Sequence, residues 1–179
     1  MRVFFNQYPL LPTMIHAFDT YYQGTTAKTV CLSFCDWQGE KESSVFTETM
    51  EVPSDYESGA FYKRELPCIL SILDKMQLGA DDIIIVDGYV TLNDAGKIGL
   101  GGHLYESLDR KYPIIGVAKN HFADPDANRR EVFRGDSQRP LYVTAMGMEP
   151  DEAANLISSM HGEFRIPTLL KLLDQLSRE

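Results

Sequence analysis

The feature that most constrains the fold is an uninterrupted apolar run, IIIV at residues 83–86, followed at once by Asp87 and Gly88. A strand that is apolar at every position, rather than at alternate positions, is typical of a strand buried on both faces of a sheet. Both faces of a sheet are covered when helices pack on its two sides. The run therefore favours an α/β fold.

The rest of the chain supplies further strands and helices. Residues 14–21, 28–35 and 44–52 are rich in β-branched and aromatic side chains and are separated by polar turns, which predicts a three-stranded antiparallel meander. Apolar residues recur at helical spacing over residues 60–78, and Gly79 is predicted to end this helix. The later predicted elements are a short helix near residues 100–108, strands at 112–118 and 141–144, and helices at 150–160 and 168–176.

This order of elements predicts one mixed sheet, a three-stranded antiparallel meander followed by parallel strands, flanked by helices. The ribonuclease-H-like fold has this order, although the order alone leaves other α/β folds open. With 179 residues and 44% hydrophobic content, the chain is long enough to bury a substantial core. We therefore expect a single domain over residues 1–179.

The cellular setting is also constrained by the sequence. Three cysteines, an odd number without metal-ligand spacing, argue against a disulfide framework and against a zinc site. The first fourteen residues lack the pattern of a signal peptide, and no apolar run approaches the roughly 18 residues that span a bilayer. These features predict a cytoplasmic protein that is independent of membranes. No coiled-coil heptads are visible, so the sequence also predicts a monomer.

The charge of the chain bears on its partners. A formal net charge of −9 and a pI of about 4.9 count against nucleic-acid binding, which usually requires a basic surface. A metal ion held by acidic residues would reverse the local sign, so acidity alone does not exclude nucleic acid. Basic residues are also concentrated in one segment: Arg110, Lys111, Lys119, Arg129, Arg130, Arg134 and Arg139.

Three carboxylates occupy positions where an acidic side chain is costly. Asp19 lies inside the first predicted strand. Glu65 precedes Ile69 and Leu73 by four and eight residues, so it shares their core-facing stripe on the predicted helix. Asp87 ends the buried run, and ligands of open α/β sheets gather at such strand ends.

Each carboxylate also has an ordinary interpretation. Asp19 could bond a nearby turn, Asp87 could belong to an Asp-Gly turn, and Glu65 could pair with Lys63 or Arg64. In a mixed sheet that begins with a meander, however, the three side chains can converge. Divalent cations take oxygen ligands and offset the cost of burying carboxylates, so the set is consistent with phosphodiester hydrolysis at a Mg²⁺ or Mn²⁺ site.

Two segments resemble the endonuclease V family, whose members cut nucleic acid beside inosine: IIIVDGYVTLNDAGKIGLGGH at residues 83–103 and PIIGVAK at residues 113–119. The resemblance extends over most of the chain, because further family motifs follow in the right order and near the right spacing. These motifs are AFD at 17–19, Tyr56 and Gly59 with RELP at 64–67, PLYV at 140–143 and FRIP at 164–167.

The resemblance implies a ribonuclease-H-like nuclease that hydrolyses the phosphodiester bond 3′ to inosine or another deaminated base in DNA or RNA. It implies that Asp19, Glu65 and Asp87 are catalytic and bind the metal, which would be Mg²⁺ with Mn²⁺ as a substitute. Lys119 would lie near the scissile phosphate and supply positive charge to the transition state.

The resemblance also implies residues that contact the nucleic acid. Tyr56 would belong to a wedge beside the lesion, and Gly59 and Gly88 would let the backbone approach the strand closely. The pocket for the flipped base would involve Gly88 and Tyr89. Asp174 falls where the family has a further Asp or His near the metal, although a solvated carboxylate on an amphipathic helix is the simpler interpretation.

Two departures from the family pattern bear on activity. The family usually has His-Pro-Arg six residues beyond the second aspartate, whereas this chain has NDA at residues 93–95, and Asn93 cannot act as an acid or base. The family's Tyr-Ile-Pro-Gly wedge reads YESG at residues 56–59, in which Glu57 adds negative charge. Two alternatives therefore stay open: a weak or inactive nucleic-acid-binding relative, and a phosphodiesterase with another substrate.

Overall fold

A computed structural model describes residues 11–52 and 60–179 of the chain. In this part of the chain, seven strands form one mixed sheet that four helices accompany. The strands are β1 (Ile15–Gln23), β2 (Thr26–Phe34), β3 (Ser44–Glu51), β4 (Ile83–Asp87), β5 (Ile114–Ala118), β6 (Arg130–Val132) and β7 (Leu141–Met146). The helices are α1 (Tyr62–Leu73), α2 (Leu100–Ser107), α3 (Pro150–Ser159) and α4 (Thr168–Arg178).

The predicted antiparallel meander is confirmed. β1 pairs antiparallel with β2, and β2 pairs antiparallel with β3, so that β3 lies at one edge of the sheet. The tight turn between β1 and β2 contains Gly24, whose φ of +62° is unfavourable for residues that carry a Cβ atom.

β4 lies beside β1 and runs parallel to it, and β5 lies parallel to β4 on its other side. The sheet order is β3-β2-β1-β4-β5-β7-β6, and its first five strands have the arrangement of the ribonuclease-H-like fold. Beyond β5 the sheet is antiparallel, because β7 pairs antiparallel with both β5 and β6. The short strand β6 was not predicted, since its sequence Arg-Glu-Val carries no strand-like pattern.

Two apolar layers fill the space between the sheet and its helices. On one face, residues such as Ala17 and Leu32 share a buried cluster with Leu169 and Leu173 of α4. On the other face, Phe18 belongs to a second cluster with residues of α1 and α2. Consecutive residues of β1 thus point to opposite faces, as expected for a strand. Within the described residues, no helix is both long and apolar enough to cross a membrane.

The prediction that α1 continues to Gly79 is wrong, because the helix ends at Leu73. The buried carboxylate of Asp82 accepts hydrogen bonds from the backbone amides of Gly79 (2.8 Å) and Met14 (3.0 Å), and it lies 3.0 Å from Nε2 of His16. These contacts hold the chain that enters β4 against the start of β1. The contacts to Met14 and His16 join residues 68 and 66 positions apart, and helical periodicity could not reveal them.

Candidate active site

Two of the predicted carboxylates lie side by side on adjacent parallel strands. The parallel register of β1 and β4 pairs Phe18 with Val86, so the following residues, Asp19 and Asp87, are neighbours at the end of β4. The negative charge of Asp19 acts on Asp87, as expected for neighbouring carboxylates. Asp19 is buried, with 8% of its surface exposed, whereas the side chain of Asp87 is 38% exposed.

Glu65 reaches the same place from α1. It lies in the first turn of the helix and is only 3% exposed, as its place on the core-facing stripe predicts. Burial raises the pKa of Glu65 well above its ordinary value, and the negative charges of Asp87 and Asp19 raise it further. The guanidinium of the neighbouring Arg64 lies over the ring of Tyr22, 4.5 Å from its centroid.

Asp87 is a weaker acid than an ordinary aspartate, chiefly because it has lost hydration. Loss of hydration raises the pKa of Asp87 to about 6; the charge of Lys119 opposes this rise, and that of Asp19 adds to it. A carboxylate with such a pKa carries a destabilising negative charge near neutral pH. The site thus holds more acidic charge than its surroundings stabilise.

Lys119 places a positive charge beside Asp87 and Asp174. It directly follows β5, and its Nζ atom lies 3.5 Å from Oδ2 of Asp87 and 3.5 Å from Oδ1 of Asp174. Burial opposes protonation of Lys119, but the charges of Asp87 and Asp174 outweigh this effect and raise its pKa. The lysine is therefore a cation beside two carboxylates; its position near a scissile phosphate stays a prediction.

Helix α4 contributes two residues that sequence reasoning undervalued or missed. Asp174 is not simply solvated, because it contacts Lys119 and accepts hydrogen bonds from Arg178. Ser177 donates a 2.5 Å hydrogen bond to Oδ2 of Asp19 and is 1% exposed. One signal was available: Ser177 follows Leu173 by four residues and therefore places a polar group on the buried stripe of the helix.

The chemistry of these donors suits a hard divalent cation. Asp19, Glu65 and Asp87 offer carboxylate oxygens, and their mutual repulsion would be relieved by a bound cation. Across residues 11–52 and 60–179, no group of three or more His, Cys, Asp or Glu side chains is placed to hold a metal ion. Mg²⁺ does not need three such side chains, since it commonly takes one or two carboxylates and completes its shell with water and substrate oxygens.

Of the residues predicted to contact nucleic acid, the structure describes Gly88 and Tyr89. Gly88 adopts a φ of +129°, and a Cβ atom added there would meet open space, so its backbone is accessible directly beside Asp87. The hydroxyl of Tyr89 donates a 2.6 Å hydrogen bond to the carbonyl of Asn120. Tyr56 and Gly59 lie outside the described residues.

The loop that departs from the family pattern has structural partners. Nδ2 of Asn93 lies 3.1 Å from Oδ2 of Asp124, and Oδ1 of Asp94 accepts a 2.7 Å hydrogen bond from the amide of Ala127. These bonds join the loop after β4 to the loop after β5. Asp94 therefore serves loop packing, in agreement with the ordinary reading of an exposed loop aspartate.

The basic segment at residues 110–139 is not one basic surface. Arg110 pairs with Glu106, and Arg130 pairs with Asp151 at 2.6 Å. Arg134 is buried and donates to backbone carbonyls between α3 and α4. Much of the positive charge in this segment therefore supports the fold.

Comparison with known proteins identifies a related family. The sequence profile described as Endonuclease V matches residues 5–143 of this chain. A comparison with curated protein sequences gave no significant match.

Several solved structures share the fold. Human endonuclease V has 21% sequence identity and a TM-score of 0.70, and the alignment covers 93% of this chain and 83% of that chain. Endonuclease V from Streptomyces avermitilis has 23% identity and a TM-score of 0.70, with coverage of 93% and 80%. Endonuclease V from Ciona intestinalis, in complex with a 24mer DNA containing an inosine followed by a ribo-adenosine, has 16% identity and a TM-score of 0.72, with coverage of 93% and 84%.

Proposed function

The chain belongs to the endonuclease V family, and from this premise we propose that it is a Mg²⁺-dependent endonuclease for inosine-containing DNA or RNA. The bond hydrolysed would be the phosphodiester 3′ to inosine or another deaminated base. The observation that carries the proposal is the convergence of Asp19, Glu65 and Asp87 beside Lys119. Acidic oxygens next to one fixed cation are a suitable arrangement for phosphodiester hydrolysis.

Asp19, Glu65 and Asp87 would hold the divalent cation. When bound, Mg²⁺ or Mn²⁺ would activate a water and stabilise the charge that develops on the phosphate and on the leaving 3′ oxygen. Ser177 would restrain Asp19 through its hydrogen bond to Oδ2. Glu65, held in the core by α1, would present its carboxyl group with little freedom to move.

Lys119 would stabilise the phosphate. Its ammonium group contacts Asp87 and Asp174 at 3.5 Å, and both contacts lie at the edge of the proposed metal site. The flexible stem of the lysine allows the ammonium group to turn from these carboxylates toward a phosphate oxygen. Positive charge at that oxygen favours the transition state, in which negative charge builds up.

Recognition of the base would use the backbone beside Asp87. Gly88 leaves open space next to the carboxylates, and Tyr89 is held by its hydrogen bond to Asn120. A flipped base is read by hydrogen bonds to its edge and by stacking, and both need rigid walls. Tyr56 and Gly59 would add the wedge that the family resemblance implies.

The bonding of Asn93 favours a second candidate. Its side-chain amide is engaged with Asp124, and its Oδ1 accepts the amide of Lys97. Asn93 stands where the family usually has a histidine, and its amide group can neither donate nor accept a proton as an acid or base. The second candidate is therefore a weak or inactive nucleic-acid-binding relative, or a phosphodiesterase for another substrate.

Cleavage of end-labelled single-stranded DNA and RNA oligonucleotides, each with and without one inosine, tests the proposal. The reactions contain Mg²⁺, Mn²⁺ or EDTA, and folded Asp87→Asn protein is the control. We expect a metal-dependent cut 3′ to inosine that the control does not make. Binding without cleavage in any metal would favour the second candidate, and cleavage of an inosine-free strand at an equal rate would refute the inosine preference.

A further inference from the structure

An open groove of about 430 Å³ runs beside α4, next to the carboxylates. We name it the α4 groove; the lining residues that matter are Lys119, Phe164, Arg165, Lys171, Asp174 and Arg178. Four of these are basic and one is acidic, whereas the whole chain carries 17 Lys and Arg against 26 Asp and Glu. Basic side chains are therefore more frequent here than in the chain as a whole; Lys119 and Arg178 are both paired with Asp174, and Lys171 contacts the ring of Phe164.

Phe164 presents an aromatic ring at this groove. The side chain is 69% exposed, and Nζ of Lys171 lies 5.9 Å from the ring centroid. The backbone around the ring is firmly held, since Arg134 donates a 2.8 Å hydrogen bond to the carbonyl of Phe164 and Arg165 donates a 2.7 Å bond to that of Pro140. The exposed ring is thus part of a rigid surface.

A second aromatic–cation pair lies at the other end of α4. The guanidinium of Arg178 lies 5.1 Å from the ring centroid of Tyr21, and Tyr21 is 39% exposed. These two residues line a smaller groove of about 160 Å³, which also contains Lys28 and shares Arg178 with the α4 groove. Each of the two grooves therefore carries an aromatic ring beside a cation, and the grooves share Arg178.

We propose that the α4 groove binds an unpaired stretch of the substrate strand adjacent to the scissile bond. Bases would stack on Phe164 in this groove and on Tyr21 in the adjoining smaller groove, and phosphates would contact Lys171 and Arg178. Aromatic platforms combined with a basic groove are how proteins hold single strands without reading their sequence, whereas the bases of a duplex are already stacked on each other. The inference rests on the proposed function and deepens it by naming single-stranded nucleic acid as the bound form.

The Asp87→Asn protein, in which cleavage is expected to be lost, allows binding to be measured alone. The probe is a fluorescein-labelled, single-stranded 20-nucleotide DNA containing one inosine, and binding is followed by anisotropy over a range of salt concentrations. On this background, Phe164→Ala and Lys171→Ala should each raise the Kd roughly tenfold. Lys171→Ala should also reduce the slope of log K against log salt by about 0.7, the value for one lost phosphate contact on a single strand.

Matched controls are available away from the groove. Phe46→Ala removes a partly exposed aromatic ring from β3, and Lys111→Ala removes an exposed lysine at the opposite end of β5 from Lys119. Both variants should bind the probe as tightly as the Asp87→Asn parent. Thermal melting of every variant separates lost binding from lost folding.

The outcomes separate this inference from the proposed function. Cleavage by the wild-type chain, together with unchanged probe binding by Phe164→Ala and Lys171→Ala, overturns the groove and leaves the nuclease intact. An equal loss of affinity for a fully paired duplex also overturns it, because no unpaired base is then available for stacking. If the parent protein binds no oligonucleotide and the wild-type chain cuts none, both proposals fail.

Discussion

Ser177 on α4 donates a hydrogen bond of 2.5 Å to Oδ2 of Asp19 on β1, although the two residues are 158 positions apart in the chain. The carbonyl oxygen of Asp174, one turn earlier in the same helix, lies 2.9 Å from the same hydroxyl and shares its single proton. The last helix is thereby connected to the first strand at the carboxylate site. A correctly placed Asp19 therefore depends on the docking of the C-terminal helix.

We expect Ser177→Ala to lower kcat for inosine-dependent cleavage by about 10- to 100-fold, the usual effect of removing a hydrogen bond to a metal ligand. KM for the oligonucleotide should change little, because Ser177 is buried and does not touch the substrate. Steady-state kinetics at several Mg²⁺ concentrations checks this, because Ser177→Ala should need more Mg²⁺ than the wild type to reach its maximal kcat. Ser159→Ala is the control, because Ser159 bonds only a carbonyl of its own helix, α3. Equal kcat in the two variants would contradict the role of Ser177.

Glu65→Gln should abolish cleavage and yet stabilise the metal-free protein. The folded-state pKa of Glu65 is raised above its ordinary 4.5 by burial and by neighbouring charges, so the folded protein binds this proton more tightly than the unfolded chain does. Stability therefore falls as the pH rises above about 4.5, where the unfolded chain is already ionised. Glutamine removes this penalty.

Thermal melting in EDTA between pH 5 and pH 8 measures the effect. The Tm of Glu65→Gln should exceed that of the wild type at pH 8, and the difference should shrink toward pH 5. Glu106→Gln changes an exposed carboxylate that pairs with Arg110, and it should show no comparable gain at high pH. The role of Glu65 in this penalty would be refuted if the Tm of the wild type rose relative to that of Glu65→Gln between pH 5 and pH 8.

Divalent cations should stabilise the wild-type chain. A ligand present at 100 times its Kd adds about 2.7 kcal/mol to the free energy of unfolding, which is readily visible as a rise in Tm. Asp87→Asn should lose most of this rise with both Mg²⁺ and Mn²⁺. Asp94→Asn should keep it, because Asp94 bonds the amide of Ala127 and an asparagine oxygen can accept the same bond. An identical response of the two variants would place the cation elsewhere.

Lys119→Met should reduce the single-turnover cleavage rate by about 10²- to 10³-fold, as expected for the loss of one group that stabilises transition-state charge. Methionine keeps much of the side-chain volume but leaves Asp87 and Asp174 without their shared cation. The metal-dependent rise in Tm should therefore become larger in this variant than in the wild type. Lys97→Met, in an exposed loop, is the matched control, and a similar rate loss there would show a general effect of charge.

Local patterns were sufficient to predict much of the fold and the principal carboxylates. The meander follows from β-branched segments and short turns, and the buried run of β4 located Asp87 at a strand end. Glu65 was found because its helical stripe is core-facing, and burial of 3% agrees with that. These features depend only on neighbouring residues in the chain.

The features that were missed depend on residues far apart in the chain. Asp82 holds the chain before β4 against Met14 and His16, and β6 exists because β7 pairs with it. The α4 groove contains Phe164 and the smaller groove that shares Arg178 contains Tyr21, and no sequence window contains both rings. The ion-pair partner of Arg130 and the carbonyl partners of Arg134 lie about 20 to 30 positions away, so the sequence did not show that these two cations are engaged within the fold.

The hydrogen bonds between the loop after β4 and the loop after β5 have a consequence for engineering this chain. The side chain of Asp126 accepts from Thr91 at 2.6 Å, in addition to the contacts that Asn93 and Asp94 make across the same boundary. A graft of His-Pro-Arg at residues 93–95 alone would leave Asp124 and the amide of Ala127 without their partners. Residues 91–98 and 121–129 should therefore be exchanged together, as one transplantable unit, whenever a relative's version of this region is introduced.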